Sequence, residues 1–301
     1  MLTRAQLRAA GVSDAVVRGR LASQWRAVLP GVVRLSRAPL DEHARYLAAT
    51  LMAGPDAVIT GIAGARLHGL TNAGTPEVVD LLVPARRAPR RAAFVRVSRT
   101  HRMPHARRQL GPLPVALPAR AVADACRAST DARFAEALVI EAVQRRATTL
   151  TLLHDELYAG PRQRSATLRA GIAAAATGAW SVAEHDLVRL VRRSAVLPTP
   201  LLNPELVGPD GVRLPTPDLW FDDVGLAVQV HSHAYHANGD AWTQTVRADS
   251  ALAEAGVIRI ALTPREIRVS PDDVLARLER TYLSLRTRPR TAARATPRPV
   301  R

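Results

Sequence analysis

The chain has few large side chains with which to fill a hydrophobic core. Phenylalanine, tryptophan and tyrosine together make up 4% of its residues, although hydrophobic residues as a whole make up 47%. Any core must therefore be built mainly from alanine, valine and leucine. The 301 residues are enough for two or three modest domains, each with its own core. A charged fraction of 23% is that of an ordinary globular protein and argues against disorder throughout.

The positive charge of the chain is large and comes from arginine alone. All 42 basic residues are arginine, and the formal net charge is +16. The absence of lysine indicates a GC-rich coding bias. The excess of arginine over acidic residues, by contrast, indicates what kind of partner the chain can bind. Six arginines lie in the acid-free tail 286–301, and the rest of the chain still carries +10. Such an excess favours a nucleic-acid partner, because each neutralised phosphate releases counterions. The alternative is a generic basic surface with a basic tail.

Cysteine content and hydropathy bear on the compartment. The single cysteine, Cys126, excludes an internal disulfide and a multi-cysteine zinc site, so we expect no zinc. No apolar run approaches the roughly 20 residues that span a bilayer. The first residues, MLTRAQLRAAG, carry arginines too early for the core of a signal peptide. The sequence predicts a cytoplasmic protein that is not associated with a membrane.

The first 35 residues predict two short helices followed by a β-hairpin. Thr3 and Ser13 are suitable N-caps for the two helices, and Gly11 can take the left-handed turn between them. The hairpin is expected in WRAVLPGVVRL, with its turn at Pro30 and Gly31. A helical hairpin with ordinary surface arginines is the simplest alternative to a DNA reader.

This order of elements resembles the winged-helix domain of abortive-infection type IV antitoxins, over the first 35 to 70 residues. The resemblance implies that the second helix enters the major groove of DNA and that the wing touches the backbone. It also implies a toxin or nucleotidyltransferase partner, and a homodimer is compatible with it. Short winged helices also serve as protein-interaction modules. Carried over to this chain, Val17, Arg18 and Arg20 face the groove, and Trp25, Arg26 and Arg34 lie on or near the wing.

The middle of the chain predicts a basic sheet followed by helices. Between Asp80 and Asp124 there are ten arginines and no acid, and EVVDLLV and FVRVSRTH have strand character. The basic sheet is either a second phosphate-binding face or a solvated positive surface. Residues 117–177 contain four Ala-rich helical patterns, which we interpret as a spacer that packs one domain against the other.

The last third of the chain alternates helices and strands in a recognisable order. A helix is expected in SVAEHDLVRLVRRS, strands in LLNPELV, PDLWF and LAVQV, and then helix, strand and helix up to residue 285. Pro217 and Asp218 begin one strand, and Gln229 follows Asp218 after eleven residues. This arrangement over residues 180–285 resembles the PD-(D/E)xK nuclease superfamily, in particular a family of domains related to very-short-patch repair endonucleases.

The resemblance implies a Mg²⁺ site made of oxygen ligands that converge on a scissile phosphate. Glu184 fits the helix acid of the superfamily and Asp218 the aspartate of its motif. The next pair departs from the motif, because Gln229 stands in place of an acid and His231 in place of a lysine. An amide oxygen can bind Mg²⁺ but brings no charge.

The repair-endonuclease branch implies a different assignment of the same residues. In it, Asp218 and the main-chain carbonyl of Val230 hold Mg²⁺, while His231 stabilises the phosphate and His236 is the general base. That branch also carries a structural zinc site, which a single cysteine cannot supply. The alternatives are that Asp218 caps a strand, that Glu184 is an exposed helix acid, and that the histidines are polar residues on an inactive scaffold.

Together these patterns predict a multi-domain α/β protein. Its function is either that of a Mg²⁺-dependent DNA endonuclease guided by a winged helix or that of a DNA-binding regulator without catalysis. The fold alone does not decide between them. The expected parts are a winged helix over 1–70, a basic α+β region with an Ala-rich helical spacer over 71–178, a restriction-endonuclease-like α/β/α domain over 179–285 and a disordered Arg-rich tail over 286–301.

Overall fold

The computed structural model of the chain describes residues 1–104, 106–178, 181–231 and 239–297. The chain forms two compact units, Met1–Ile172 and Ala173–Arg301, and each of them mixes helices with β-sheet. Among the described residues, no helix combines the length and apolar character needed to cross a bilayer.

The chain begins with two helices and a three-stranded sheet, as the cap and turn residues predict. Thr3 caps the first helix and forms a capping box with Gln6, and Ser13 caps the second helix. The sheet order is β1-β3-β2, and the hairpin turns at Gly31, whose φ is 77°. The elements are β1 (Leu2–Thr3), α1 (Arg4–Ala9), α2 (Asp14–Ser23), β2 (Arg26–Leu29) and β3 (Val32–Arg34).

A six-stranded sheet forms the centre of the first unit, in the order β6-β7-β5-β4-β9-β8. The predicted boundary at residue 70 is wrong, because β4 pairs with β5 on one side and with β9 on the other. Leu29 and Val32 of the hairpin also share a core with α3 and this sheet. The elements are α3 (Glu42–Ala53), β4 (Val58–Thr60), α4 (Gly61–Leu67), a 3-10 turn (Thr71–Ala73), β5 (Val79–Pro84), β6 (Arg90–Ala92), β7 (Val95–Thr100), β8 (Arg107–Leu110) and β9 (Leu113–Ala116).

The Ala-rich helices are present where the sequence predicts them, but the first of them is part of the first unit and not a spacer. Helix α5 packs against α4 and β4, and small residues such as Gly64 and Ala121 allow this close approach. Cys126 of α5 is buried, and burial raises the pKa of its thiol to about 12. The helices are α5 (Pro118–Ala128), α6 (Ala132–Gln144), α7 (Leu150–Ala159) and α8 (Ala166–Ala176).

The second unit contains a four-stranded sheet in the order β10-β13-β14-β15. Strands β10, β13 and β14 pair antiparallel, and β15 lies parallel to β14. Helix α9 packs on one face, where Leu187 and Phe221 lie in the same core. The elements are α9 (Val182–Val191), β10 (Leu201–Leu202), β11 (Glu205–Val207), β12 (Arg213–Leu214), β13 (Leu219–Phe221), β14 (Leu226–Val230), α10 (Gly239–Glu254), β15 (Ile258–Leu262), α11 (Pro264–Val269) and α12 (Pro271–Leu285).

One predicted strand in this unit is divided in two. LLNPELV forms β10 in the four-stranded sheet and β11 in a separate three-stranded sheet. Asn203 lies between them with a φ of 47°, and a residue in that conformation turns the chain.

The tail 286–301 is not a disordered segment over its described part. Residues Arg294–Thr296 form strand β16, which pairs antiparallel with β11. Ala293 is fully buried, and the Thr291 hydroxyl donates to the Ala255 carbonyl at 2.8 Å. The arginine content of the tail does not predict these contacts, because the small residues between the arginines make them.

Truncation of this tail is therefore expected to destabilise the second unit. A chain that ends at Leu285 loses β16 and the buried Ala293, and we expect its unfolding midpoint to fall by about 5 °C or more. Differential scanning calorimetry measures this change. A chain that ends at Pro297 keeps β16 and is the matched control. Equal midpoints for the two chains would contradict a structural role of the tail.

Candidate functional site

The acid at the start of β13 is buried and hydrogen-bonded. Asp218 is 7% exposed, and its Oδ2 accepts a hydrogen bond from the Val230 main-chain N–H at 2.6 Å. The Gln229 side chain also hydrogen-bonds to this carboxyl group. The position does more than begin a strand, because its carboxyl group joins the start of β13 to the end of β14.

Strand alternation places three of the predicted site residues on one face of the sheet. Asp218 shares its face with Trp220, and Gln229 and His231 share theirs with Ala227. Trp220 and Ala227 lie in the same core cluster and pair across β13 and β14. Asp218, Gln229 and His231 therefore lie on the same side of the sheet.

Glu184 lies in the first turn of α9, and its negative charge acts on the Asp218 carboxyl group. It is 8% exposed, so the interpretation as an exposed helix acid is wrong. Its Oε1 accepts from the Ser181 hydroxyl at 3.0 Å, and its Oε2 accepts from the Asn203 amide at 3.1 Å. Ser181 is the N-cap of α9 and so fixes both the start of the helix and the carboxylate.

The two carboxyl groups influence each other. Burial, and then the negative charge of Glu184, raises the pKa of Asp218 to about 7. The hydrogen bonds from Val230 and Gln229 act in the opposite direction and lower that pKa. Two neighbouring buried carboxyl groups can share a proton or can together bind a cation.

The donor set at this site suits a hard divalent cation. The two carboxyl groups supply oxygen atoms, which Mg²⁺ prefers, and Gln229 places an amide group beside Asp218. The charge of Glu184 on Asp218 is a repulsion that a bound cation would relieve. Among the residues that the structure describes, no group of three or more His, Cys, Asp or Glu side chains is placed to hold a metal ion.

His231 is held by an ion pair that sequence spacing did not suggest. Its Nε2 accepts from Nη1 of Arg259 at 3.0 Å, and Arg259 donates to Asp249 at 2.6 Å. Its main-chain N–H donates to the Leu262 carbonyl at 2.8 Å. Asp249 is on α10 and Arg259 on β15, so only the tertiary fold brings them to His231.

Two further predictions concern the same site. His236, the predicted general base, lies outside the described residues. The Val230 N–H bonds to Asp218, whereas the contact of its carbonyl with a metal stays a prediction.

The predicted DNA-facing residues of the first unit divide into two groups. Val17 is 1% exposed and packs in a small core, so its assignment to the groove is wrong. Trp25 packs against that same core. Nη1 of Arg34 donates to the Pro39 carbonyl at 2.8 Å. Three residues are exposed, namely Arg18, Arg20 and Arg26.

Half of the arginines between Asp80 and Asp124 form ion pairs with acidic residues. The others have no acidic partner among the described residues and are on β6, β7 and β8. Strands β6 and β8 are opposite edges of the sheet, about 24 Å apart at the usual strand spacing. Charge on edge strands also hinders pairing with another sheet, which favours the solvated surface over one phosphate-binding face. The ion pairs are Arg86 and Arg87 with Asp56, Arg96 with Asp80, Arg102 with Glu156 and Arg120 with Asp124, and the remaining arginines are Arg90, Arg91, Arg99, Arg107 and Arg108.

Comparison of the chain with protein-family models, curated proteins and solved structures finds no match.

Proposed function

We propose that this chain binds DNA and that its second unit hydrolyses phosphodiester bonds with Mg²⁺. The observation that carries the proposal is the pair of buried acids Glu184 and Asp218, both hydrogen-bonded to Asn203, with Gln229 bonded to the Asp218 carboxyl group. The order of elements supports it: a helix, three antiparallel strands, a second helix and a parallel strand, as in the superfamily that the sequence resembles.

The chain's own residues have defined tasks in this proposal. Glu184 and Asp218, with the Gln229 amide, would hold Mg²⁺, which supplies Lewis acidity toward the phosphate and lowers the pKa of a bound water. Asp218 must lose its proton before it can serve as a charged ligand. Ser181 orients Glu184, and Arg259 fixes the ring of His231 on the same side of the sheet. His236 remains the proposed general base, on the resemblance alone.

Plasmid nicking tests the catalytic proposal directly. The wild-type chain is expected to convert supercoiled plasmid to open circles in Mg²⁺ or Mn²⁺ and to lose this activity in EDTA. Glu184→Gln keeps the size of the side chain and removes its charge, so we expect it to slow nicking at least about tenfold. Metal-dependent nicking that is unchanged in Glu184→Gln would place the active site elsewhere.

A DNA-binding regulator without catalysis, similar to type IV antitoxins, is the second candidate. The observation in its favour is that the third proposed ligand, Gln229, carries no charge. Asp249 does not replace the missing carboxylate, because it already pairs with Arg259. In this case the second unit is a binding or dimerisation module, and a toxin or nucleotidyltransferase is the expected partner. Tight binding of duplex DNA without nicking in either metal would favour it.

The DNA-binding half of the proposal depends on the exposed arginines of the first unit. Changing Arg18, Arg20 and Arg26 to alanine is expected to weaken duplex binding and to reduce the salt slope by about 1 for each phosphate that is no longer neutralised. Fluorescence anisotropy at several salt concentrations measures both the affinity and the slope. Arg162→Ala removes an exposed arginine between α7 and α8 and is the matched control. An equal weakening per arginine removed in the two proteins would mean that binding depends on overall charge alone.

A further inference from the structure

We propose that Asn203 is a positioning residue, which ties the Glu184 carboxylate to the start of β13 so that Glu184 and Asp218 can bind a divalent ion together. The inference rests on the proposed function and assigns a role to a residue that the motif does not include. Asn203 does not reach the reacting atoms in this proposal. It acts through the two carboxyl groups.

Asn203 contacts both arms of the site. Its side-chain amide donates to Oε2 of Glu184 at 3.1 Å and to the Gly178 carbonyl at 3.3 Å. Its main-chain N–H donates to the Asp218 carbonyl at 3.1 Å. It is therefore bonded to the residue that α9 contributes and to the residue that begins β13.

The chemistry of these contacts fixes the orientation of the amide group. A carbonyl and a carboxylate accept hydrogen bonds, so only the NH₂ group of Asn203 can face Gly178 and Glu184. An uncharged donor adds no negative charge beside Glu184 and Asp218. A carboxylate at this position could not donate, and a hydrophobic side chain would leave Oε2 of Glu184 without this buried partner.

The backbone of Asn203 is unusual in a way that points to a role. Its φ is 47°, a conformation that asparagine adopts more readily than most residues other than glycine, and it is 2% exposed. A residue that precedes proline normally takes an extended conformation, and Pro204 follows here. Such strain persists where the surrounding structure demands it, and functional sites are frequent examples.

A purely structural explanation is that the chain must turn at this point, from β10 into β11. Glycine would make such a turn at lower cost, because it enters the left-handed region freely. Glycine has no amide side chain, so it separates the two roles: Asn203→Gly keeps the turn and removes the bond to Glu184. Asn203→Ala also removes that bond and in addition carries the backbone strain.

The experiment compares three variants with the wild-type chain. Mn²⁺ binding is measured by electron paramagnetic resonance and unfolding by calorimetry, both without DNA. Ala93→Gly is the matched control, since Ala93 also has a positive φ of 43° but lies in the first unit, between β6 and β7. We expect Asn203→Gly to unfold near the wild-type temperature and to bind Mn²⁺ about 10- to 100-fold more weakly. Ala93→Gly should bind as the wild type does.

The outcomes separate this inference from the proposed function. If Asn203→Gly binds Mn²⁺ with the affinity of the wild-type chain, the positioning role is overturned, even if Asn203→Ala is unstable. Weaker Mn²⁺ binding in Asn203→Gly supports that role, and wild-type protein that binds Mn²⁺ without nicking plasmid contradicts the catalytic proposal alone. A wild-type chain that binds no Mn²⁺ contradicts both, because the carboxyl pair would then not be an ion site.

Discussion

Asparagine in place of Asp218 is expected to reduce Mg²⁺-dependent nicking at least about 100-fold. Loss of a group that merely supports a metal ligand lowers metal affinity or activity about 10- to 100-fold. Loss of a ligand's own charge should lower the activity by at least as much. The substitution retains the shape of the side chain, and its carbonyl oxygen can still accept from the Val230 N–H. The rate of plasmid nicking under single-turnover conditions measures the effect.

Two controls make this test specific to the site. Asp273→Asn removes an exposed acid from the first turn of α12 and should leave the nicking rate unchanged. Duplex binding by Asp218→Asn should also stay near the wild-type value, since the exposed arginines of the first unit are intact. A variant at Asp218 that nicks as fast as the wild type would contradict the site.

The elements of the second unit could be predicted because each leaves a local pattern. Ser181 and the apolar spacing after it predict α9, and the proline before Asp218 predicts the start of β13. The interval from Asp218 to Gln229 predicts that these residues lie close together, because a hairpin of that length brings β13 and β14 side by side. Motif and local pattern together therefore placed three residues on one face.

The partners of the site could not be predicted, because they come from distant parts of the chain. Asn203 looks in the sequence like a polar residue inside a strand, and its contact with Glu184 spans 19 residues and two elements. Arg259 and Asp249 resemble surface charges until β15 pairs with β14. The only local signal was the Asn-Pro pair, since asparagine tolerates a positive φ better than most residues.

The same limit explains the errors in the first unit. Val17 lies between two exposed positions of α2, and a helix of ten residues shows too little periodicity to mark its buried face. The boundary at residue 70 divided a sheet, because β4 has only three residues and precedes a helix directly. Short elements are stabilised by the elements that they pair with, and this pairing belongs to the tertiary structure, so a local sequence pattern does not show it.

The stability of the metal-free protein should depend on pH through Asp218. Its pKa is about 7 in the folded chain and near 3.8 when the chain is unfolded, so the folded state binds more protons between these values. Its contribution to stability is present at low pH and is lost as pH rises through 7. One pKa unit corresponds to about 1.4 kcal/mol, so we expect the contribution to fall by about 2–3 kcal/mol from pH 5 to pH 8.

Asp218→Asn removes this contribution, together with the charge that acts on Glu184, because asparagine does not titrate. Calorimetry in EDTA should show that the variant gains stability over the wild-type chain as pH rises from 5 to 8. The pKa of His68 is lowered by burial, which favours the fold as pH rises, but this effect is the same in both proteins and cancels in the difference. A difference between the proteins that stays constant with pH would mean that Asp218 is already ionised at pH 5. Excess Mg²⁺ should remove the advantage of the variant at pH 8, because a cation held by Glu184 and Asp218 stabilises only the chain that keeps both charges.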